Sequence, residues 1–298
     1  MTQETTCKIR QMTRAELDTA VSWAAAEGWN PGKFDADVFW QTDPNGFFAL
    51  EHNNQMIGSG SAVSYDGQFG FMGFFIVKPE YRGKGFVAQL WLNMRDTLKS
   101  RLAQGTAIGI DGVFAMQQSY SKTGFAFSHR NLRMEGIAEE LTNSSPDKSE
   151  NENDQATIHP PRADDLEQLI AADARWFGCR RQRFLTAWLE MKDSYSLIYN
   201  MGSQILGYGT IRSCQQGFKI GPLFAASEEI AERLYCALTA KVIGQVIFLD
   251  VPENNSAALS LAAKHKLRET FGCARMYLGA APALDYSQTF GVTTFELG

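Results

Sequence analysis

Three short sequence patterns occur twice along the chain in the same order, once in each half. They comprise an apolar strand-like run with two glycines, a buried strand that ends in an acid, and the end of a short helix. The matched pairs are Gln55–Gly60 with Gln204–Gly209, Ile108–Asp111 with Phe248–Asp250, and Tyr120–Phe125 with Ala262–Leu267. Chance could give any one match, but three in the same order predict an internal duplication and two domains of one fold.

A polar segment separates the two halves. Positions 143–154 consist of Ser, Asn, Pro, Lys, Asp and Glu, and such a stretch buries too little apolar area to fold. We therefore expect a first domain at 1–138, a flexible linker at 139–156 and a second domain at 157–298. Two domains of this size are an ordinary way to divide a chain of 298 residues.

Periodicity within each half predicts a mixed α/β fold. In the first half, apolar residues recur every four positions from Phe86 to Leu102, as in an amphipathic helix. Apolar runs joined by the turns Asn53-Asn54 and Asp66-Gly67 predict successive antiparallel strands. The second half repeats the order of elements. We expect two tandem domains, each a central, mostly antiparallel twisted sheet flanked by helices.

Composition argues against several classes of partner. The formal net charge is −5 and no helix carries a basic stripe, so nucleic acid is not expected as a partner. No apolar run approaches the ~20 residues needed to span a bilayer, and we expect neither a membrane segment nor a signal peptide. The five cysteines are scattered and the four histidines lack metal-ligand spacing. We therefore expect reduced thiols, no metal and a cytoplasmic protein, with no indication of its oligomeric state.

The stretch Val77–Val87 is the most informative for function, because it joins a buried strand to a helix through two glycines. Gly83 and Gly85 let the backbone turn tightly and direct successive N–H groups outward, at the positive end of the following helix dipole. Arg82 and Lys84 add positive charge beside them. This arrangement predicts a pyrophosphate site. The alternative interpretation is a plain strand-to-helix turn with two permissive glycines.

The same stretch resembles the acetyl-CoA signature of the GNAT superfamily of N-acetyltransferases, Arg/Gln-x-x-Gly-x-Gly/Ala, between a strand and an amphipathic helix. Arg82 and Gly85 fit this signature, and Val87 departs from its final Gly/Ala. A second GNAT signature, a Tyr four residues before Gly-Phe on a short helix, is present within Tyr120–Phe125. The resemblance covers about residues 8–136, and the whole chain also resembles a branch with tandem GNAT domains.

The resemblance implies that an amine attacks the thioester of acetyl-CoA directly. The pantetheine arm would pair with the strand ending at Ile76–Val77, whose N–H groups would polarise the thioester carbonyl. Tyr120 would protonate the departing thiolate, although it could instead only cover the helix end. The expected cofactor-binding residues lie on the strand end, the loop and the first helical turn: Phe75, Ile76, Val77, Arg82, Gly83, Lys84, Gly85, Phe86 and Val87.

The expected acceptor is a small-molecule amine or a peptide amine, which must lose a proton before it attacks. An alkylamine with a pKa near ~10.4 is almost wholly protonated at pH 7, so a carboxylate or a water chain must help. Asp111, at the end of the fifth strand, is one candidate, and Glu27, Asp35 and Asp37 in the early helical region are the others. Asp111 or Asp35 could instead cap a turn or a helix. We expect Glu27, Trp29 and Asp35 to border the acceptor site.

The second half lacks the parts that carry this chemistry. Ala225–Glu229 replaces the Arg-Gly-Lys-Gly loop, Ala262 replaces the Tyr, and Lys266-Leu267 replaces Gly-Phe. Two acids at the start of a helix would repel a pyrophosphate, so we expect catalysis in the first half alone. The second half would pack against the first and wall the acceptor pocket. The alternatives are a non-catalytic acyl-CoA-binding sensor or partner-binding protein, and a tandem transferase of other acyl or aminoacyl groups.

Overall fold

The computed structural model describes residues 7–83, 85–140 and 156–298. Lys84 and most of the expected linker, residues 141–155, lie outside the described residues. The first half folds into six strands and four α-helices within the described residues. Their bounds are β1 Cys7–Gln11, α1 Arg14–Ala26, α2 Asp35–Thr42, β2 Phe47–His52, β3 Gln55–Tyr65, β4 Phe69–Val77, α3 Phe86–Arg101, β5 Ile108–Val113, α4 Gln117–Ser121 and β6 Ala126–Ile137.

The second half repeats this order and adds one short strand near its end. Its elements are β7 Ala156–His159, α5 Leu166–Phe177, α6 Gln182–Leu189, β8 Ser194–Met201, β9 Gln204–Ser213, β10 Phe218–Ala225, α7 Glu228–Thr239, β11 Val246–Pro252, α8 Ser256–Lys264, β12 Arg268–Leu278 and β13 Thr289–Gly291. The predicted mixed α/β class is confirmed. Within the described ranges, no helix combines the length and the hydropathy needed to cross a membrane.

Local sequence explains where the helices begin and which faces they bury. Thr13 caps α1 by accepting a hydrogen bond from the N–H of Glu16, whose carboxylate accepts in return from the N–H of Thr13. In α3, Leu90, Met94 and Leu98 are buried at four-residue spacing. The predicted amphipathic helix is therefore confirmed, and its apolar stripe packs against β3 and β4.

All thirteen strands of the described residues belong to one mixed sheet, and the two halves exchange their last long strands at its centre. The strand order is β1-β2-β3-β4-β5-β12-β6-β11-β10-β9-β8-β7, with β13 added against β10. β12 pairs antiparallel with β5 of the first half, whereas β6 pairs antiparallel with β11 of the second half. β6 and β12 also pair with each other. Neither half therefore completes its own sheet.

Three buried ion pairs among the described residues also join the halves: Arg133 on β6 pairs with Asp250 on β11, and the other two involve Asp35 and Asp111. Asp35 on α2 accepts from Nε of Arg212 on β9 at 2.9 Å, and both side chains are fully buried. Asp111 on β5 accepts from Nε and Nη2 of Arg275 on β12 at 2.8 and 2.6 Å. Removing one partner of such a pair would leave the other charge uncompensated in the protein interior.

β4 and β5 run side by side only over a short distance and then diverge. Their parallel pairing joins Gly70–Met72 to Ile108–Ile110. Beyond Met72, β4 is irregular: Phe74 has φ of +47°, and the register with β3 shifts after Ser59. An irregularity of this kind bends a strand and interrupts its pairing. A cleft therefore opens between the two neighbouring strands.

The equivalent strands of the second half also pair only briefly, but the space between them is filled. β10 and β11 pair in parallel over Phe218–Ile220 and Ile247–Leu249. β13 then pairs antiparallel with the remainder of β10. The N–H of Val292, directly after β13, donates to the carbonyl of Asp250 on β11 at 2.9 Å. The chain itself thus occupies the second cleft.

The C-terminal segment, Val292–Gly298, continues from this filled cleft to the first half. Tyr65 donates its hydroxyl hydrogen bond to the carbonyl of Leu297 at 2.8 Å. Gly73 on β4 lies directly against the main chain of Glu296, since a Cβ added at Gly73 would be 2.2 Å from that carbonyl oxygen. Only glycine permits this close approach of the segment to β4.

We expect Asp35→Asn to lower the free energy of unfolding by about 3–5 kcal/mol, because it leaves the Arg212 guanidinium buried without its counter-ion. Denaturant unfolding followed by tryptophan fluorescence measures the change. Asp37→Asn on the same helix is the matched control: its side chain is 60% exposed and pairs with Arg14, so a loss below about 1 kcal/mol is expected. Equal losses in the two variants would contradict a special role for the buried pair.

Candidate active site

A cavity of about 360 Å³ occupies the cleft between β4 and β5. Its walls come mostly from the first half, and the second half contributes Phe271, Cys273, Phe295 and Glu296. The residues expected from the sequence that do line it are Glu27, Trp29, Phe75, Ile76, Val77, Arg82, Val87, Asp111 and Tyr120. A mainly apolar cleft with a few polar groups is typical of a site for a small molecule.

The β4 wall presents an interrupted stretch of main chain to the cavity. Gly73 and Ile76 are successive pairing positions toward β3, so Phe74 and Phe75 bulge out between them. The buried Ser59 donates to the carbonyl of Phe74 at 2.9 Å and fixes this bulge. A strand edge that has parted from its neighbour can accept an extended ligand as an added strand.

The loop between β4 and α3 depends on its two glycines. Gly83 and Gly85 have φ of +76° and +82°, and a Cβ added at either would meet nothing within 4 Å. The backbone conformation, rather than space, therefore requires glycine. Gly85 is the N-cap of α3 and makes no side-chain capping hydrogen bond. An uncapped helix N-terminus of this kind attracts an anion. Neither glycine is among the residues that line the cavity.

Phe86 and Lys84 are the two remaining positions expected to bind the cofactor. Phe86, the first residue of α3, packs with its ring centroid 5.6 Å from that of His52 and is not part of the cavity lining. Lys84 lies outside the described residues, so its expected place beside the loop stays a prediction.

Arg82 connects this loop to the early helical region. Its Nε donates to the carbonyl of Val77 at 2.7 Å, and its Nη2 donates to Oε1 of Glu27 at the same distance. Glu27 is the C-cap residue of α1. The two side chains remain 48% and 39% exposed. Arg82 thus fixes the start of the loop and also keeps part of its guanidinium open to solvent.

Tyr120 is held on α4 with its ring against the cavity wall. The ring packs directly on Gly112, where an added Cβ would lie 2.3 Å from it, and its centroid is 4.7 Å from that of Trp91. Among the described residues, no group forms a hydrogen bond with its hydroxyl. Burial raises the pKa of Tyr120 above its usual value, so the hydroxyl keeps its proton at neutral pH.

Asp111 lies at the cavity but is already fully engaged. Its side chain is completely buried. Both carboxylate oxygens accept from Arg275, and Oδ1 also accepts from Nδ2 of Asn131 at 2.9 Å. The arginine balances its charge and the three hydrogen bonds fix its orientation.

Asp35 and Trp29, both expected at the acceptor site, are placed differently. Asp35 is not among the cavity-lining residues; it is fully buried in its ion pair with Arg212. Trp29 lines the cavity, and its carbonyl accepts from Nη1 of Arg133 on β6 at 2.5 Å. The expected acceptor-site residues are thus divided between the cavity wall and the interior behind it.

The sequence did not predict that Phe271, Cys273, Phe295 and Glu296 line the cavity. The first two lie on β12, which reaches the first half only because the last strands are exchanged. The other two lie on the C-terminal segment, which crosses between the halves. The sequence feature that could have indicated this part of the wall is one acid, Glu296, which stands between the apolar residues Phe295 and Leu297.

The equivalent positions of the second half lack the features of an anion and acyl-carrier site. Ser227 caps α7 by accepting from the N–H of Ile230 at 3.3 Å, and Glu228 and Glu229 occupy the first turn. Ala262, the counterpart of the tyrosine, is fully buried on α8. Since β13 also fills the cleft, a ligand would meet side chains and a strand where the first half has a loop and a cavity.

Sequence spacing predicts no metal site, yet three possible ligands meet in the second half. Glu232, Cys236 and His265 have ligand atoms within 4.8 Å of one another. Glu232 is also paired with Lys264 at 3.0 Å and with His265 at 2.9 Å. None of these residues belongs to the cavity lining, so the group is separate from the candidate active site.

Family models match both halves of the chain. The model of the acetyltransferase (GNAT) family covers residues 10–125, and a model of an acetyltransferase (GNAT) domain covers residues 169–291. The matches fall on the two halves that the internal repeat predicts.

Relatives and solved structures resemble the chain over nearly its whole length. Holothin acyltransferase from Pseudoalteromonas sp. (strain SANK 73390) is 25% identical over 299 residues, with 100% of this chain and 97% of the relative covered. A Pyrococcus horikoshii structure described as an acetyltransferase is 19% identical with a TM-score of 0.79, covering 98% of this chain and 96% of that one. A tandem GNAT protein from the clavulanic acid biosynthesis pathway is 10% identical with a TM-score of 0.62, covering 93% and 100%.

The structural matches confirm the predicted fold class and the tandem architecture, and the family models confirm the resemblance stated from the two signatures. The chain belongs to the GNAT superfamily and carries one GNAT domain in each half.

Proposed function

We propose that the protein is an acyl-CoA-dependent N-acyltransferase, that its first half is catalytic and that acetyl-CoA is its acyl donor. The observation that carries this proposal is the difference between two equivalent clefts. The cleft between β4 and β5 holds a cavity that Tyr120 lines, with the glycine loop at the end of β4. The cleft between β10 and β11 is filled by β13. GNAT membership supplies the class of reaction.

Coenzyme A would bind along β4 and over the loop. Its pyrophosphate would accept hydrogen bonds from N–H groups of Gly83, Gly85 and the first turn of α3, with Arg82 and Lys84 beside it. The positive φ of both glycines and the missing side-chain cap support this position. The pantetheine arm would pair with Phe75–Val77, where β4 has parted from β5.

The acyl group would move to the acceptor by direct attack. The acceptor nitrogen bonds to the thioester carbon, and main-chain N–H groups at the bulge around Phe74 stabilise the oxyanion. The C–S bond then breaks, and Tyr120 gives its proton to the thiolate of coenzyme A. Two observations support Tyr120 in this role: it lines the cavity, and its hydroxyl has no hydrogen-bond partner within the described residues.

We propose a primary amine of a small molecule or peptide as the acceptor. Glu27 and Trp29 would border it from the first half, with Phe271 and Phe295 of the second half completing the wall. The full-length relative named holothin acyltransferase supports a small-molecule acceptor. Because that name specifies no particular acyl group, the transfer of an acyl group other than acetyl is a second candidate function.

We place this activity in the cytoplasm. All five cysteines are free thiols, which is usual in the reducing interior of a cell. This location would also give the protein access to the cellular supply of acyl-CoA.

We expect Tyr120→Phe to lower kcat by about 10²–10⁴-fold, because the thiolate loses its proton donor, and to leave the KM for acetyl-CoA nearly unchanged. Release of free thiol from acetyl-CoA with a panel of amines measures both constants. Tyr235→Phe is the matched control, because Tyr235 is also buried but lies on α7 outside the cavity. An unchanged kcat would remove the acid role from Tyr120. Acetyl-CoA binding without thiol release, with every amine, would favour the sensor.

We expect Gly85→Ala to weaken coenzyme A binding about tenfold, because the left-handed conformation costs an alanine ~1–2 kcal/mol and a relaxed loop withdraws its N–H groups. Calorimetric titration with coenzyme A gives the dissociation constant. Gly244→Ala is the matched control, since Gly244 has φ of +78°, lies in the second half and also has nothing near an added Cβ. Equal binding by the two variants would argue against a pyrophosphate site in this loop.

A further inference from the structure

Glu296 is a buried acid without a partner at the edge of the cavity. The residue lines the cavity, is 3% exposed and belongs to the C-terminal segment. Within the described part of the chain, neither of its carboxylate oxygens has a hydrogen-bond partner. Burying a carboxyl group without a partner costs free energy, so its presence beside a ligand-sized cavity requires an explanation.

The other acids that line the cavity are already paired. Among the described residues these are Glu27 and Asp111. Glu27 accepts from Arg82, and Asp111 accepts from Arg275 and Asn131. The hydrogen-bonding capacity of these two acids is therefore already engaged by protein groups, whereas both oxygens of Glu296 have no hydrogen-bond partner among the described residues.

The main chain of Glu296 is fixed beside the irregular part of β4. Its carbonyl oxygen contacts Gly73, the residue before the bulge at Phe74. On one side of Glu296, Leu297 is tied by the hydrogen bond from Tyr65 and by its own N–H, which donates to Oγ1 of Thr294 at 2.9 Å. This places residue 296 next to the main chain that would hold the thioester.

The charges near Glu296 are nearly balanced without it. The nearby cations are Lys219 on β10, Arg133 on β6 and Arg212 on β9. The nearby acids are Asp35 on α2 and Asp250 on β11, and Asp250 pairs with Arg133. Three cations face two acids, so one further negative charge is tolerated. Burial nevertheless raises the pKa of Glu296, against the opposing effect of the three cations. A carboxyl group that is more basic than usual and lies at the wall of a ligand-sized cavity suits a general base.

We propose that Glu296 is the general base that takes a proton from the acceptor, and that the acceptor is a primary alkylamine, which is cationic in solution. This inference rests on the proposed function. It gives the second half a direct part in the reaction, because the segment that leaves its filled cleft brings the base to the wall of the first half's cavity.

The protons balance over the reaction. The ammonium form of the acceptor gives one proton to Glu296 and becomes a neutral amine. The amine nitrogen bonds to the thioester carbon, the C–S bond breaks, and Tyr120 protonates the sulfur. The second proton lost by the nitrogen returns to the oxygen of Tyr120. Glu296 releases its proton to solvent as the amide and coenzyme A leave.

The test compares Glu296→Gln with the unchanged protein on two acceptors, a primary alkylamine and an arylamine that is neutral at pH 7. With the alkylamine we expect kcat/KM to fall by about 10²-fold or more, because its proton has no acceptor. With the arylamine, which needs no deprotonation before attack, a change below about threefold is expected. The rising limb of kcat/KM against pH that belongs to Glu296 should be lost in the variant, whose kcat/KM should instead rise with the neutral fraction of the alkylamine, toward the amine's pKa of ~10.4.

The control is Glu269→Gln, an exposed acid on β12 outside the cavity, which should behave as the unchanged protein with both amines. Denaturant midpoints verify that Glu296→Gln is folded. Equal losses with both amines, or no loss with either, would overturn the base assignment while leaving acyl transfer established. An absence of thiol release by the unchanged protein with all amines would instead refute the proposed function, and this inference with it.

Discussion

The divergence of β4 from β5 is the constraint on which the rest of the molecule depends. Parallel strands normally stay paired because each buried N–H and carbonyl needs a partner. Here pairing stops after Met72, and the bulge at Phe74, fixed by Ser59, keeps the strands apart. Main chain exposed in this way is satisfied by another strand, by a side chain, by a ligand or by water. In the second half that partner is β13, and in the first half the space is left as a cavity.

The two halves share one fold but differ in the residues around their equivalent clefts. The second half keeps the strand and helix order of a GNAT domain, but a capping serine and two acids stand at the start of α7 and an alanine stands in place of Tyr120. The second half also contributes side chains to the cavity of the first half: Phe271 and Cys273 come from β12, and Phe295 and Glu296 come from the C-terminal segment. In the proposed reaction, one half binds the donor and both halves surround the acceptor.

Much of the fold, and the loop and tyrosine that we propose for the donor side of the site, could be recognised from the sequence, because their signals are local. A glycine pair before an amphipathic helix and a tyrosine four residues before Gly-Phe need only neighbouring residues to be recognised. The placement of Tyr120 beside the cavity follows from that local order. The repeat likewise predicted two copies of one arrangement, which the family models match.

The acceptor side could not be predicted in the same way, because it depends on pairings between distant residues. A strand such as β6 has the same alternating pattern whether it pairs within its own half or with β11. Asp35 is equally polar in sequence whether it faces a ligand or Arg212, and only the fold reveals the ion pair. The position of Glu296 could not be predicted for the same reason: Glu296 and Gly73 are far apart in the sequence, and only the fold brings them into contact.

The exchange of β6 and β12 has a consequence for the evolution of the chain. Once each half borrows its neighbour's last strand, a gene shortened to the first half would leave β5 with a bare edge and β6 with nothing to pair against. The duplicate can then lose every residue needed for its own chemistry and still be retained by selection. Strand exchange thus gives selection a structural reason to keep the second copy of the domain, independent of the chemistry which that copy carries.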